Sequence, residues 1–190
     1  MILPKRYPGA IWLESPNFYR DRVLDAGIIT GHTTEGGEGP RSALWSAQWC
    51  ARKETGATAH FFVDDKNIYQ SVELDRQAWH CNGGNAHSVG VEFAGKASQR
   101  SEDWADAFSL EMLRNAAVLY RWLADKGNIP LVYLGSDALA LFKQGKTVLP
   151  RGCCAHRDWV RAGFGGTHTD WGEGFPVEQF LLAAIMTPSA

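Results

Sequence analysis

The pattern of apolar and polar positions divides the chain into short strands and longer helices. Apolar residues run from Ala26 to Gly31 (A-G-I-I-T-G) and stop at His32, ahead of the Gly-rich stretch T-T-E-G-G-E-G-P. Such a run, bounded by turn residues, predicts a buried strand with His32 at its end. Between Pro40 and Thr55, Leu44, Ala47, Ala51 and the Trp45/Trp49 pair recur at helical spacing, with Gly56 just beyond. The spacing predicts a helix over 40–55. Segments 57–63 and 67–72 flank Asp64-Asp65-Lys66 and read as a β-hairpin with a polar turn.

Residues 88–94 predict a third strand, with Val89, Val91 and Phe93 on one face and Ser88, Gly90, Glu92 and Ala94 on the other. Glu92 then stands between very small neighbours, which predicts a carboxylate in open space. From Ala107 to Asp125 a broad apolar stripe, including Met112, Leu119 and Leu123, predicts the longest helix, closed by Gly127. The stripe is explained by burial and is no cofactor box. Residues 131–134 predict a short strand, and 177–186, entered through Pro176, a terminal helix. Strands and helices interleave, so the fold class is α/β. With 190 residues, no repeat and no linker, one domain over 1–190 is the expectation, its core at about 15–187.

Composition narrows the function. The 45% hydrophobic and 21% charged content is that of an ordinary globular chain. Net charge is -2 and no Lys/Arg run exceeds a pair, which argues against a nucleic-acid partner. Met1 to Pro16 carries Pro4, Pro8 and Glu14 without a sustained apolar stretch, so neither a signal peptide nor a membrane span is expected. Synthesis in a cytoplasm follows as the expectation. There Cys50, Cys81, Cys153 and Cys154, without C-x-x-C spacing, are expected as free thiols. Eight Trp and twenty Gly suit a groove with flat apolar walls and backbone-rich loops, and 161–169 is a Gly-rich loop able to line it.

A catalytic zinc ion takes about three protein ligands and leaves a position for water. The six histidines, His32, His60, His80, His87, His156 and His168, contain no H-E-x-x-H, so any such site joins distant segments. His60 shares a strand face with Phe62, which favours a packed role, and His87 suits the turn before its strand.

Several ordered motifs carry a resemblance: I-I-T-G-H-T-T at 28–34, A-H-F-F-V-D-D at 59–65, A-W-H-C-N at 78–82, S-V-G-V-E-F-A-G at 88–95, A-H-R-D at 155–158 and T-H-T-D-W-G at 167–172. Over 15–176 the chain resembles the zinc N-acetylmuramoyl-L-alanine amidases, a family that includes phage lysins, cytosolic muropeptide amidases and peptidoglycan recognition proteins. S-P-N-F-Y at 15–19 is similar to actinobacterial phage lysins in particular.

The resemblance implies a mixed central sheet of about five to six strands flanked by helices. It implies zinc held by His32, His156 and Asp170, with water in the fourth position and Glu92 as its general base and later the acid for the leaving amine. His168 falls where relatives often carry Lys and is assigned to the oxyanion. Trp79, His80 and Asn82 are the candidate substrate-groove residues. Asp158, two residues from His156, is the rival ligand, and Cys153 and Cys154 are soft donors left outside the site. Where some relatives place Tyr this chain has Ala59, and where others use Cys it has Asp170. Gly31 replaces a bulkier residue before the first ligand, and Cys81 a small one.

The implied partner is peptidoglycan, cut by a monomer between the lactyl group and the first stem residue, in the manner of a host-lysing endolysin. Two rivals stand beside that reading: a peptidoglycan-binding module without turnover, and a bacterial muropeptide-recycling amidase.

Overall fold

The computed structural model describes residues 3–189. Its elements in chain order are β1 (Ile11–Trp12), β2 (Phe18–Val23), β3 (Ile28–Thr33), α1 (Ser42–Cys50), β4 (Phe61–Val63), β5 (Ile68–Gln70), β6 (Arg76–Ala78), β7 (Ser88–Phe93), α2 (Ala107–Gly127), α3 (Gly135–Lys143), β8 (Gly152–Ala155), α4 (His156–Arg161) and α5 (Val177–Met186). A six-stranded sheet runs β1-β5-β4-β7-β3-β8, and β2 pairs with β6 in a separate ribbon. Within the sheet only β4 and β5 are antiparallel; the other neighbours are parallel. The sheet is therefore mixed, as the resemblance implies.

Parallel strands need cover on both faces. On one face Ile29, Phe61, Val63, Val89, Val91 and Phe93 pack against Met112, Leu119, Tyr120 and Leu123 of α2 and Phe180 and Leu181 of α5. Each such large side chain, once fully buried, contributes about 1.5–3 kcal/mol. The other face is covered in two patches. Ala43, Ala47 and Cys50 of α1 lie on Phe62 and Tyr69, while Trp159 of α4 and Leu139 of α3 lie on Ile28 and Cys154. A cleft opens between the patches, floored by β3 and β7.

The helix expected over 40–55 is shorter. It occupies Ser42–Cys50, and Lys53–Thr55 form a 3-10 turn. Asp64, in the polar hairpin turn, explains the start: its Oδ1 accepts from Lys66 N and Asn67 N while its Oδ2 accepts from Ala43 N. One buried carboxylate thus ties the hairpin to the first turn of α1. The first hairpin strand is also trimmed, from 57–63 to Phe61–Val63.

Gly127 is not the stop of α2 but its last residue. Asn128 takes the left-handed conformation instead (φ 52, ψ 45), a role Asn fills next best to Gly. The strand expected at 131–134 is reduced to an isolated bridge between Tyr133 and Cys153, because helix α3 begins immediately afterwards. The pairing partner of that bridge, β8, lay outside the sequence expectations, as did β1, β2, β6, α3 and α4.

Candidate metal centre and active site

Adjacent parallel strands carry the chemistry to one edge of the sheet. His32 ends the buried run of β3, and β7 aligns Glu92 with it in register. On the other side β8 pairs with β3 and hands over to α4, whose first residue is His156. Side chains at the carboxyl ends of parallel strands face a common crevice, the usual place for a ligand in such sheets.

Asp170 arrives from a loop. Its Oδ2 lies 3.0 Å from His32 Nδ1 and 3.4 Å from His156 Nδ1. Trp171 holds it there: the indole stacks on Phe175 at 4.3 Å between ring centroids, and it fills the space left by Gly31, where a Cβ would stand 1.9 Å from two indole carbons. Gly31 is thus required by close packing, which accounts for its departure from bulkier relatives. In addition, Arg157 N donates to Asp170 O at 2.8 Å.

His32, His156 and Asp170 are all buried, and one ligand atom of each lies within 4.8 Å of the others. Burial drives the His32 pKa down to about 4, against the pull of Asp170, so its ring is neutral. For Asp170 burial works in the opposite direction, but the flanking His156 and His32 outweigh it and favour the carboxylate. Two imidazole nitrogens and a buried carboxylate converge, no Lys or Arg among the described residues pairs with Asp170, and His156 Nε2 is buried without a partner. Carboxylate and imidazole are a donor set suited to zinc, and the residues fit such an ion.

Glu92 does not stand in open space. It is half-buried, its Oε2 lacks a hydrogen-bond partner, and the volume beside Gly90 is taken by the His80 ring. Burial first, then the charges of Asp170 and Glu35, push its pKa well above the usual carboxylate range. His168 lies at the rim with its side chain 61% exposed. Its ring stacks on His156 at 4.3 Å and its Nδ1 is 3.5 Å from Asp170 Oδ1.

The cleft above these groups measures about 1030 Å³ and is walled by Trp79, Asn82, Tyr19, Trp45 and Trp49. Trp79 packs edge-on against Tyr19 at 5.6 Å. Trp45 and Trp49 turn away from the core and are 60% and 53% exposed, so the large apolar residues of α1 face the cleft. His80 also reaches the cleft, but its ring is engaged below, Nδ1 lying 3.0 Å from His32 Nε2.

The rival ligand is elsewhere. Asp158 Oδ2 accepts from Tyr133 Oη at 2.7 Å and Ala155 N at 2.8 Å, which secures the first turn of α4. Cys153 and Cys154 are buried on β8 outside the cluster, and all four cysteines are free. His60 is packed, its Nδ1 accepting from Gly90 N and its Nε2 donating to Arg76 O. His87 closes the turn before β7 through its N–H to Gly84 O. Sequence reasoning missed Asn85, whose Oδ1 accepts from His80 N and Cys81 N and fixes the A-W-H-C-N segment. Its signal was only a short polar side chain in a turn.

Comparison with known proteins decides the family. The model of N-acetylmuramoyl-L-alanine amidases matches residues 24–173. This chain belongs to that family. It is 35% identical to the N-acetylmuramoyl-L-alanine amidase CwlH of Bacillus subtilis (strain 168), over 54% of this chain and 40% of the relative. With the amidase XlyA of the same organism it shares 30% identity over 73% of this chain and 44% of the relative. The chain thus spans less than half the length of these curated relatives. A solved mutant endolysin from Bacillus subtilis superposes with a TM-score of 0.62 at 22% identity, covering 92% of this chain and 97% of that one, which shows a shared fold.

Proposed function

We propose that this member of the amidase family hydrolyses the amide bond between the lactyl group of N-acetylmuramic acid and L-alanine of the peptidoglycan stem. The observation that carries the reading is the buried His32, His156 and Asp170 cluster at the floor of the cleft, with Glu92 beside it in strand register. Those three residues would hold zinc, which when bound supplies a Lewis acid for the scissile carbonyl and for water.

The remaining work falls to this chain's own side chains. Glu92 takes the proton of the attacking water on its carboxylate. Its raised proton affinity keeps that proton available for the departing alanine amine, so one group serves as base and then acid. His168, exposed at the rim, presents an imidazole N–H to the carbonyl oxygen as charge builds there, an interaction worth about 3–4 kcal/mol in comparable oxyanion sites. Trp79 and Asn82, on the cleft wall, hold the stem or glycan against the site, and the indole of Trp79 offers a flat apolar face.

The biological role we assign is lysis of a host cell wall by a phage endolysin. The S-P-N-F-Y segment and the fold shared with a Bacillus subtilis endolysin support it. No helix of the described residues is long and apolar enough to cross a membrane.

The test is the Glu92→Ala variant, incubated with purified cell wall and followed by mass spectrometry of released stems. Wild type releases free stem peptides, whereas the variant retains one zinc per chain and releases none. Full release by the variant sinks the Glu92 assignment. No release by zinc-loaded wild type would leave a binding module.

A further inference from the structure

The ring of His80 is wedged between two other imidazoles, its centroid 5.1 Å from that of His32 and 5.7 Å from that of His60. Its place depends on Gly90, where a Cβ would fall 2.7 Å from His80 Cγ and Nδ1. Asn85 fixes the backbone beneath it. Such a built position asks for a purpose, and the hydrogen bonds supply one.

His80 Nε2 lies 3.1 Å from the Ser88 carbonyl oxygen. A carbonyl only accepts, so Nε2 carries the hydrogen. Its side-chain partners are the Cys81 thiol and the His32 ring, neither of them an anion that would hold a second proton, which leaves Nδ1 as an acceptor. The atom facing that acceptor, at 3.0 Å, is His32 Nε2, which must therefore be the N–H of its own ring. The consequence reaches the metal centre: with its hydrogen on Nε2, His32 has its lone pair on Nδ1, the nitrogen facing Asp170 and His156.

We propose that His80 is a positioning residue for the metal centre: the relay Ser88 carbonyl, His80, His32 fixes the tautomer that aims the His32 Nδ1 lone pair at the ion. This rests on the zinc reading above. It moves His80 from the substrate wall, where sequence placed it, to the support of a ligand. It also explains the glycine ahead of Glu92 on that face of β7: Gly90 leaves room for the His80 ring.

Two variants test it. Phe at 80 keeps a flat ring but has no acceptor, whereas Asn places its side-chain oxygen near the position of Nδ1. Both lose the bond to Ser88, so the difference between them reads the acceptor alone. Zinc affinity, measured by competition with a chromophoric chelator, is expected to fall about 10- to 100-fold in His80→Phe and to recover substantially in His80→Asn. Equal affinity in His80→Phe and wild type, or equal losses in both variants, overturns the relay.

Should a variant fail to fold, the unmodified protein still answers through ring nitrogen shifts in the zinc-loaded state. His80 protonated on Nε2 with Nδ1 bare, and His32 protonated on Nε2, are expected; hydrogen on His80 Nδ1 overturns the proposal. Wild type that takes up no zinc refutes the metal reading itself, whereas zinc uptake with the opposite tautomer refutes only the relay.

Discussion

Glu92 shows how burying a single carboxyl costs stability. Its carboxyl is harder to ionise in the folded chain than in the unfolded one, because of burial and the nearby charges of Asp170 and Glu35. A folded pKa above the unfolded value, about 4.3 for Glu, means that stability declines as pH rises from there towards the folded pKa. Glu92→Gln, which cannot ionise, is therefore expected to raise the melting temperature of the metal-free protein at pH 7. The advantage should shrink as the medium is acidified to about pH 4, where wild-type Glu92 is itself protonated. Thermal melts of both proteins at the two pH values check this; a gap independent of pH would refute it.

The same scale shows what sequence could deliver. Glu92 was legible as a residue of the S-V-G-V-E frame, yet its surroundings were not. Small neighbours suggested open space, but a glycine's vacant volume is filled by whichever distant side chain packs there, and at Gly90 that is His80. Likewise, the contact between His32 and Asp170 spans 138 positions, so no local spacing could announce it.

Among elements, β3 shows how a strand can position a site on one face and depend on a loop through the other. Thr30 accepts from Trp159 Nε1 on the cleft side at 2.9 Å, while Gly31 receives Trp171 on the core side. Gly31→Ala is expected to cost about 1–3 kcal/mol or more, since the indole must shift out of a close-packed position. It should also weaken zinc binding, because Asp170 immediately precedes Trp171 in the chain. Denaturant unfolding and zinc titration read the two effects; unchanged values in both would refute the coupling of core and site.

Elements differed in legibility for physical reasons. β3, β7, α2 and α5 bury a whole face or a wide stripe, so their periodicity is plain. β8 is four residues of Gly, Cys and Ala, with no β-branched signal, although like β3 it is a short apolar run ending at a histidine. α4 has six residues, fewer than two helical turns, which is too short for a period to show. β2 carries Arg20, Asp21 and Arg22 in succession and pairs outside the main sheet, so no alternation marks it.

On the scale of the whole molecule, the candidate metal centre joins three parts of the fold: the middle of the sheet, the start of α4 and the loop ahead of α5. An ion bound by all three stabilises the folded chain by mass action. Chelation is expected to lower the melting temperature, and zinc to restore it, by about 4 kcal/mol of stability at free zinc a thousandfold above its dissociation constant. Differential scanning calorimetry with and without chelator checks the shift; identical melts would refute the shared site.

The loop that delivers Asp170 is pinned at both ends. Phe164 packs edge-on against Trp159 at 4.8 Å, Trp171 is buried under Gly31, and residues 165–169 between them are exposed. With its ends fixed independently of its length, the part of this segment ahead of His168 is free to vary. Even doubling such a loop costs only about 0.6 kcal/mol in closure entropy. The rim of the cleft beside His168 can therefore be lengthened or retextured for a different cell-wall chemistry while the ligand one step further along stays in register.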